Sequence, residues 1–287
     1  MTTVSIALCT YNGERYLKAQ LASLIEQSHR PDEVVICDDD SSDTTLGVLQ
    51  TFADTAPFKV RLFRNHKNLG YVKNFEKAVS LCQGDVIFMC DQDDVWHPQK
   101  IEQCLAAFDA EPSVGLVLHD FNWVGADGSP YPGPVDVYGT ERVDAQALPE
   151  VFRKSSIEVF MTPYPRAWCG CMMAFRSQFV GLIVPIFPGK GHDDWILKLL
   201  GPITEVRFLT ERLVNYRIHG QNVNGRDVTR RTMGYRWKRF LYKSKRALRG
   251  QSKRGFYKHP LMRLQHAGVV SIYPRLVEMY RSHTKLF

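Results

Sequence analysis

The run Phe88-Met89-Cys90-Asp91-Gln92-Asp93-Asp94-Val95-Trp96 puts three carboxylates within four residues, where an apolar run beginning at Val86 leaves what reads as a buried strand. Like charges this close repel one another and need a partner. A hard divalent cation is one such partner, since it takes oxygen ligands and often bridges to substrate phosphates. A solvated acidic turn, capping a helix that starts near Pro98, accounts for the same residues.

Other polar clusters offer chemistry of their own. In Asp38-Asp39-Asp40-Ser41-Ser42-Asp43, one carboxylate could accept a hydrogen bond from a pyrimidine N–H or a ribose hydroxyl, while Asp43 or Ser42 suits the cap of the next helix. Thr10-Tyr11-Asn12-Gly13 reads either as a base-wrapping loop or as a plain turn. Asn68-Leu69-Gly70-Tyr71-Val72-Lys73-Asn74 has a glycine free to take an unusual backbone angle, and Lys73 or Asn74 could meet a phosphate at a helix start. His192-Asp193-Asp194-Trp195 follows the loop Pro188-Gly189-Lys190-Gly191. It supplies either a general base on a mobile lip or a helix N-cap followed by an acid. Tyr216-Arg217-Ile218-His219-Gly220-Gln221-Asn222 sets a histidine in a polar turn. A single histidine is more often not a metal ligand. The absence of G-x-G-x-x-G and of G-x-x-x-x-G-K-[ST] argues against a dinucleotide fold and a P-loop.

The elements that must position these groups alternate strand and helix. Strands are expected at Val4–Cys9, Glu33–Cys37, Val60–Phe63 and Val86–Cys90, with helices at Glu14–Gln27, Thr44–Asp54 and Val72–Cys82. That order implies parallel βαβ units in a doubly wound sheet, whose ligands bind outside the C-terminal strand ends. Three of the polar clusters fall at those ends. Further on, Val114–His119, Ala167–Phe175 and Val206–Leu209 read as strands, Asp193–Leu200 as a helix and Gly125–Val137 as loop.

The chain has 287 residues, enough for a substantial core, and no apolar run long enough to span a bilayer. Its start reads as a strand without a basic leader, so no signal peptide is expected. Seven scattered cysteines without a C-x-x-C read as buried thiols in a reducing cytosol rather than as a zinc site. The formal charge of +7 is uneven: Arg226 to Lys258 holds thirteen Lys or Arg against the single acid Asp227, a balance of +12. The remainder of the chain is acidic overall.

Taken in order from Val4 to about Gly225, these segments resemble the inverting glycosyltransferases of family 2, which have a GT-A fold. The matching pieces are Thr-Tyr-Asn-Gly, Asp-Asp-x-Ser-Ser-Asp, Asn-x-Gly, the Asp-x-Asp run and the His-Asp and Tyr-Arg-x-His segments. Asp91-Gln92-Asp93-Asp94-x-Trp96, His192-Asp193-x-Trp195 and Tyr216-Arg217-x-His219-Gly220-x-Asn222 resemble the rhamnosyltransferase-like branch that builds bacterial surface polysaccharides. One departure is Asp40, where the family usually has glycine, so a slightly different backbone is expected there.

The resemblance implies a GT-A catalytic domain over 1–225, with a nucleotide-sugar half at 1–100 and an acceptor half at 101–225, followed by a basic helical region at 226–287. By the same resemblance Thr10, Tyr11, Asn12 and Glu14 line a nucleoside pocket, with Asp38 reading the base and Asp39 close by. Lys73 lies near the diphosphate, and Asp91 and Gln92 face the ribose or sugar. Asp93 binds Mg2+ or Mn2+, and His219 approaches the metal or diphosphate. Asp193 is the catalytic base, with Asp194 as runner-up. The implied donor is a nucleotide diphosphate sugar, with dTDP-rhamnose the best guess, and the acceptor a lipid-linked glycan.

Competing readings are a nucleotidyltransferase, a DxD phosphatase and a catalytically inactive paralogue that binds polysaccharide or lipid. The first wants a Gly-rich pyrophosphate loop after the first strand, and the second a nucleophilic Asp where this chain has Cys9-Thr10. In the basic tail, Met233, Trp237, Phe240, Leu241 and Leu248 recur at helical spacing among cations. This is the pattern of a helix lying on an anionic bilayer, here the cytoplasmic face of the plasma membrane. The same stripe could instead pack on the catalytic body or a second subunit. No nucleic-acid motif accompanies the charge.

Overall fold

The computed structural model describes residues 1–131, 169–186, 191–201 and 204–220. The strands are β1 (Val4–Thr10), β2 (Glu33–Asp38), β3 (Lys59–Arg64), β4 (Val86–Cys90), β5 (Val95–Trp96), β6 (Val114–Val124), β7 (Met173–Arg176) and β8 (Glu205–Arg217). The described helices are α1 (Glu14–Ile25), α2 (Thr45–Thr55), α3 (Tyr71–Leu81), α4 (Lys100–Ala110), α5 (Val180–Ile183) and α6 (His192–Leu200). The basic tail, the loop segment after Tyr131 and Pro188–Lys190 lie outside the described residues.

All eight strands join one sheet in the order β3-β2-β1-β4-β7-β6-β8-β5. The first half is parallel, as helical crossovers require. Thr10 pairs with Asp38 and Asp38 with Arg64, while Leu8 pairs with Cys90. These registers bring the C-terminal ends of β1, β2 and β4 to one edge, and the polar loops leave the sheet together there. Every residue of β1, β2 and β4 is buried, which explains their near-continuous apolar runs. Helix α1 covers the sheet with Leu17, Leu21 and Leu24, and α3 with Phe75, Ala78 and Val79. Each Leu, Phe or Val among these contributes roughly 1.5–3 kcal/mol of burial, and Ala78 less.

The second half is mixed. Strand β7 runs antiparallel between β4 and β6, so the parallel first half and the mixed second half share one sheet. Strands β6 and β8 are parallel, with register shifts near Leu116 and Asp120. The two-residue β5, which the sequence did not suggest, pairs antiparallel with β8 through Trp96 and Val214. Strand β8 is much longer than the expected Val206–Leu209, and Gly170–Met172 form a 3-10 turn where strand was expected. No described helix is long and apolar enough to cross a membrane.

Candidate active site

Two loops at the sheet edge are fastened to each other. The Tyr11 N–H donates to Gln92 Oε1 at 2.8 Å, and Gln92 Nε2 donates to the Tyr11 carbonyl at 3.0 Å. Gln92 thus holds the β1 loop against the acidic run. The approach depends on Gly13, because a Cβ there would lie 2.2 Å from Gln92 Oε1. Asn12 takes a left-handed φ of 47° and accepts the Ser42 N–H at 2.8 Å, tying the same loop to the one after β2. Tyr11 itself is 49% exposed, so its ring stands open at the edge.

Asp38 and Thr10 face each other. Thr10 Oγ1 donates to Asp38 at 2.9 Å, and the Ser41 hydroxyl and N–H donate to the same carboxylate at 2.5 and 2.9 Å. Asp38 is fully buried. Asp39 is buried too, and orders the loop before α3 by accepting from Asn65 Nδ2, Leu69 N–H and Gly70 N–H. Gly70 has a φ of 82°, which explains its identity. Asp40 carries a φ of 64°, in the left-handed region that favours glycine. Aspartate tolerates this region better than most residues, and Arg64 pairs with its side chain at 3.1 Å.

Glu14 and Asp43 exchange helix ends. Glu14 Oε2 accepts from the Thr44 N–H and hydroxyl, while Asp43 accepts the Glu14 N–H at 3.2 Å and the Thr45 N–H at 3.0 Å. Each carboxylate satisfies donors left open at the start of the other's helix. Burial pushes the Asp43 carboxyl up, but these hydrogen bonds outweigh it and leave the group below its ordinary range. Lys73 rests on Glu76 at 2.7 Å and is half-exposed. Asn74 is buried and donates to the Cys37 carbonyl.

The acidic run lies at the centre. Asp93 Oδ2 and His219 Nε2 are 2.8 Å apart, so two residues read separately as metal-directed meet. Asp94 is fully buried, and Oδ1 accepts the Arg217 N–H at 3.0 Å. Burial and the neighbouring Asp93 push its carboxyl up to about 7. Burial, then Asp94, Asp93 and Asp193, push the partly buried Asp91 well above the carboxylate range. The Asp93–His219 pair, with carboxylates crowded beside it, fits a hard divalent cation, which those two residues would hold.

Asp193 and Asp194 occupy the first turn of α6. The helix start favours their negative charge, and Asp193 Oδ1 accepts the Asp194 N–H at 2.7 Å. Asp193 acts on both Asp91 and Tyr71: after burial, its charge helps raise the Tyr71 hydroxyl pKa. Trp195 anchors the helix by donating its indole N–H to the Ile183 carbonyl at 2.9 Å.

Three supporting residues were given no role from the sequence, although Arg217 stands in the Tyr-Arg-x-His segment. Tyr16 stacks against His219 with ring centroids 4.6 Å apart, and the Arg217 guanidinium lies 5.0 Å from the Tyr16 ring. Arg217 also donates Nε to the Asp93 carbonyl at 2.9 Å. Lys100 is fully buried, with Nζ 2.6 Å from the Cys171 carbonyl and 3.5 Å from the Trp96 ring centroid. The i, i+3 spacing of Tyr16 from Gly13 and the Trp96–Lys100 spacing gave no signal beyond ordinary helical patterning.

The sheet, its C-terminal loops and the acidic run define an α/β fold whose polar groups gather at one edge. The family model described as glycosyl transferase family 2 matches residues 5–177. That is more than half the chain, and the chain belongs to this family. An uncharacterized glycosyltransferase of Nostoc sp. is 28% identical over 226 residues, covering 76% of this chain and 66% of the relative. The Escherichia coli protein WfgD, named a UDP-Glc:alpha-D-GlcNAc-diphosphoundecaprenol beta-1,3-glucosyltransferase, is 32% identical over 99 residues, 34% of this chain and 38% of WfgD. Staphylococcus aureus TarS 1–349 in complex with UDP-GlcNAc aligns with a TM-score of 0.56 at 18% identity, covering 78% of this chain and 60% of TarS 1–349. Mannosyltransferase PcManGT from Pyrobaculum calidifontis, in complex with GDP-Man and Mn2+, aligns with a TM-score of 0.56 at 18% identity, covering 98% of this chain and 74% of PcManGT. These two structures establish the likeness of fold.

Proposed function

We propose that the protein transfers a sugar from a nucleotide diphosphate sugar to a hydroxyl acceptor with inversion at the anomeric carbon. The observation that carries this reading is the meeting of Asp93 and His219 beside Asp91 after β4, with Asp193 close enough for its charge to act on Asp91. Asp193 takes the acceptor proton as the oxygen attacks the face opposite the leaving group, with Asp194 as the alternative base. Tyr11 offers its open ring to the base of the donor, in a pocket walled by Thr10, Asn12, Glu14, Asp38 and Asp39. Lys73 swings from Glu76 toward the diphosphate, and Asp91 and Gln92 flank the ribose or sugar. Asp93 and His219 would hold Mg2+ or Mn2+, which would supply positive charge against the charge that grows on the departing diphosphate.

The finer reading is a rhamnosyl donor, with dTDP-rhamnose first, and a lipid-linked glycan acceptor. The Asp91–Trp96, His192–Trp195 and Tyr216–Asn222 segments support the donor. The acceptor draws support from the diphosphoundecaprenol in the name of WfgD. The basic segment 230–258 then attaches the enzyme to an anionic membrane surface, each cation contributing about 1 kcal/mol.

A panel of nucleotide sugars with Mn2+ or Mg2+, assayed for nucleotide diphosphate release and thermal protection, tests the reaction. Release with no sugar in the panel sinks it. Sedimentation with anionic vesicles at low salt, and release at high salt, tests the attachment. Failure to sediment even at low salt rejects it.

A further inference from the structure

Beneath the Asp93–His219 pair lies a group that the proposed reaction leaves partly unused. Asp91, Asp94 and Cys171 bring two carboxylate oxygens and a sulfur within 4.8 Å of one another. Asp94 and Cys171 are fully buried. Asp94 Oδ2 is itself buried and makes no hydrogen bond of ordinary geometry, although the Cys171 thiol lies close enough to act on it. A buried carboxylate oxygen of this kind is costly unless something binds it.

The donor set selects the occupant. A thiolate is a poor ligand for Mg2+ but a good one for borderline-soft ions, which take mixed sulfur and oxygen sets. Such an ion holds sulfur at about 2.3 Å and carboxylate oxygen at roughly 2.0–2.2 Å, so small side-chain rotations close the present spacing. Charge also balances. Two carboxylates and a thiolate carry three negative charges. A divalent ion, with the buried Lys100 ammonium whose charge already acts on Asp94, brings three positive ones.

We propose that Asp91, Asp94 and Cys171 form a second cation site, separate from Asp93 and His219, that takes a borderline-soft divalent ion such as Zn2+ or Co2+. The ion enters as the Cys171 thiol, together with Asp91 and Asp94 wherever they are protonated, releases its proton to solvent, and the sulfur and carboxylate lone pairs form the new bonds to the metal. Because the ion engages Asp91, it competes with donor binding, a consequence that rests on the transfer reaction proposed above. The site is thus inhibitory and separates hard activating ions from soft ones.

Titration of the full-length protein with Co2+ alone tests the site without relying on activity. A thiolate-to-cobalt charge-transfer band in the near ultraviolet is expected in the wild type and in Asp93→Ala. It should be lost in Cys171→Ser and kept in Cys169→Ser, the control for the neighbouring thiol. Asp91→Asn and Asp94→Asn should each weaken Co2+ binding at least tenfold, which covers the case in which Cys171→Ser fails to fold. No band in the wild type at saturating Co2+ overturns the proposal. So does a band that survives Cys171→Ser, or unchanged affinity in both aspartate variants. With turnover established, Zn2+ should inhibit competitively against donor in the wild type and not in Cys171→Ser. Without turnover, the cobalt spectrum still decides the site.

Discussion

Asp93 Oδ2 and His219 Nε2 stand 2.8 Å apart, although 126 positions separate them in the chain. Tyr16 stacks on the imidazole from α1 and Arg217 braces the Asp93 carbonyl, so both partners are held from behind. Asp93→Ala is expected to abolish metal-dependent donor binding and turnover while the far-ultraviolet circular dichroism stays native. Asp93→Asn should be nearly as severe, since a neutral amide is a poorer ligand for a hard ion. His219→Gln should weaken Mn2+ binding by about 10- to 100-fold, the usual scale for a perturbed metal site. Calorimetric titration with Mn2+ reads all three, and turnover near wild type in Asp93→Ala removes the metal assignment.

Asp193→Asn is expected to lower kcat by roughly two to four orders of magnitude with donor affinity little changed. Asp194→Asn should be milder. Steady-state kinetics beside donor titrations separate the two. A larger loss at Asp194 would exchange their roles, and weakened donor binding with normal kcat would make Asp193 a positioning group.

Glu33 provides a stability test away from the site. Burial pushes its carboxyl up, but hydrogen bonds from Ser5, the Gln83 N–H and Arg61 outweigh that and hold it below its ordinary value of 4.5. A depressed carboxylate contributes stability above its unfolded pKa and loses it as pH falls through the folded one. Glu33→Gln should therefore cost about 1–3 kcal/mol at pH 7, a deficit that shrinks below pH 4.5. Urea unfolding across that range measures it, and a deficit independent of pH would contradict the assignment.

At Asp40 the backbone decides. With φ at 64°, Asp40→Ala should destabilise by about 1 kcal/mol, because Cβ meets the following carbonyl in the left-handed region without a polar side chain to compensate. Asp40→Gly should lie within about 0.5 kcal/mol of wild type, since the exposed pair with Arg64 contributes little. Equal losses in both variants would shift the cause from backbone to ion pair.

Much of this molecule was legible from periodicity. Strands β1, β2 and β4 announce themselves because burial on both faces demands unbroken apolar runs, and the acidic loop follows one of them. Strand β8 was half hidden: Thr210-Glu211-Arg212 are exposed in mid-strand and interrupt the apolar pattern that Val206–Leu209 begins. Strand β5 is only two residues long and exists because β8 supplies its partner. Three adjacent aspartates cannot declare from sequence which of them faces inward, yet Asp38 and Asp39 are internal and Asp40 is not. Lys100 gives no signal in the sequence, since nothing local reveals that Trp96 and the Cys171 carbonyl enclose it.

The late position of β8 sets an order of assembly during synthesis. When residues 1–100 have left the ribosome, β1 to β4 already have their parallel partners, but Asp94 lacks the Arg217 N–H, Asp93 lacks His219 and β5 lacks Val214 and Asn215. The nascent half can pair its strands while its acidic loop stays unfinished. Completion waits for a segment made more than a hundred residues later, so translation that stops early leaves a product with no assembled centre. The same arrangement suits a split reporter: a gene cut between α6 and β8 would yield two silent fragments, with the site restored only where both meet.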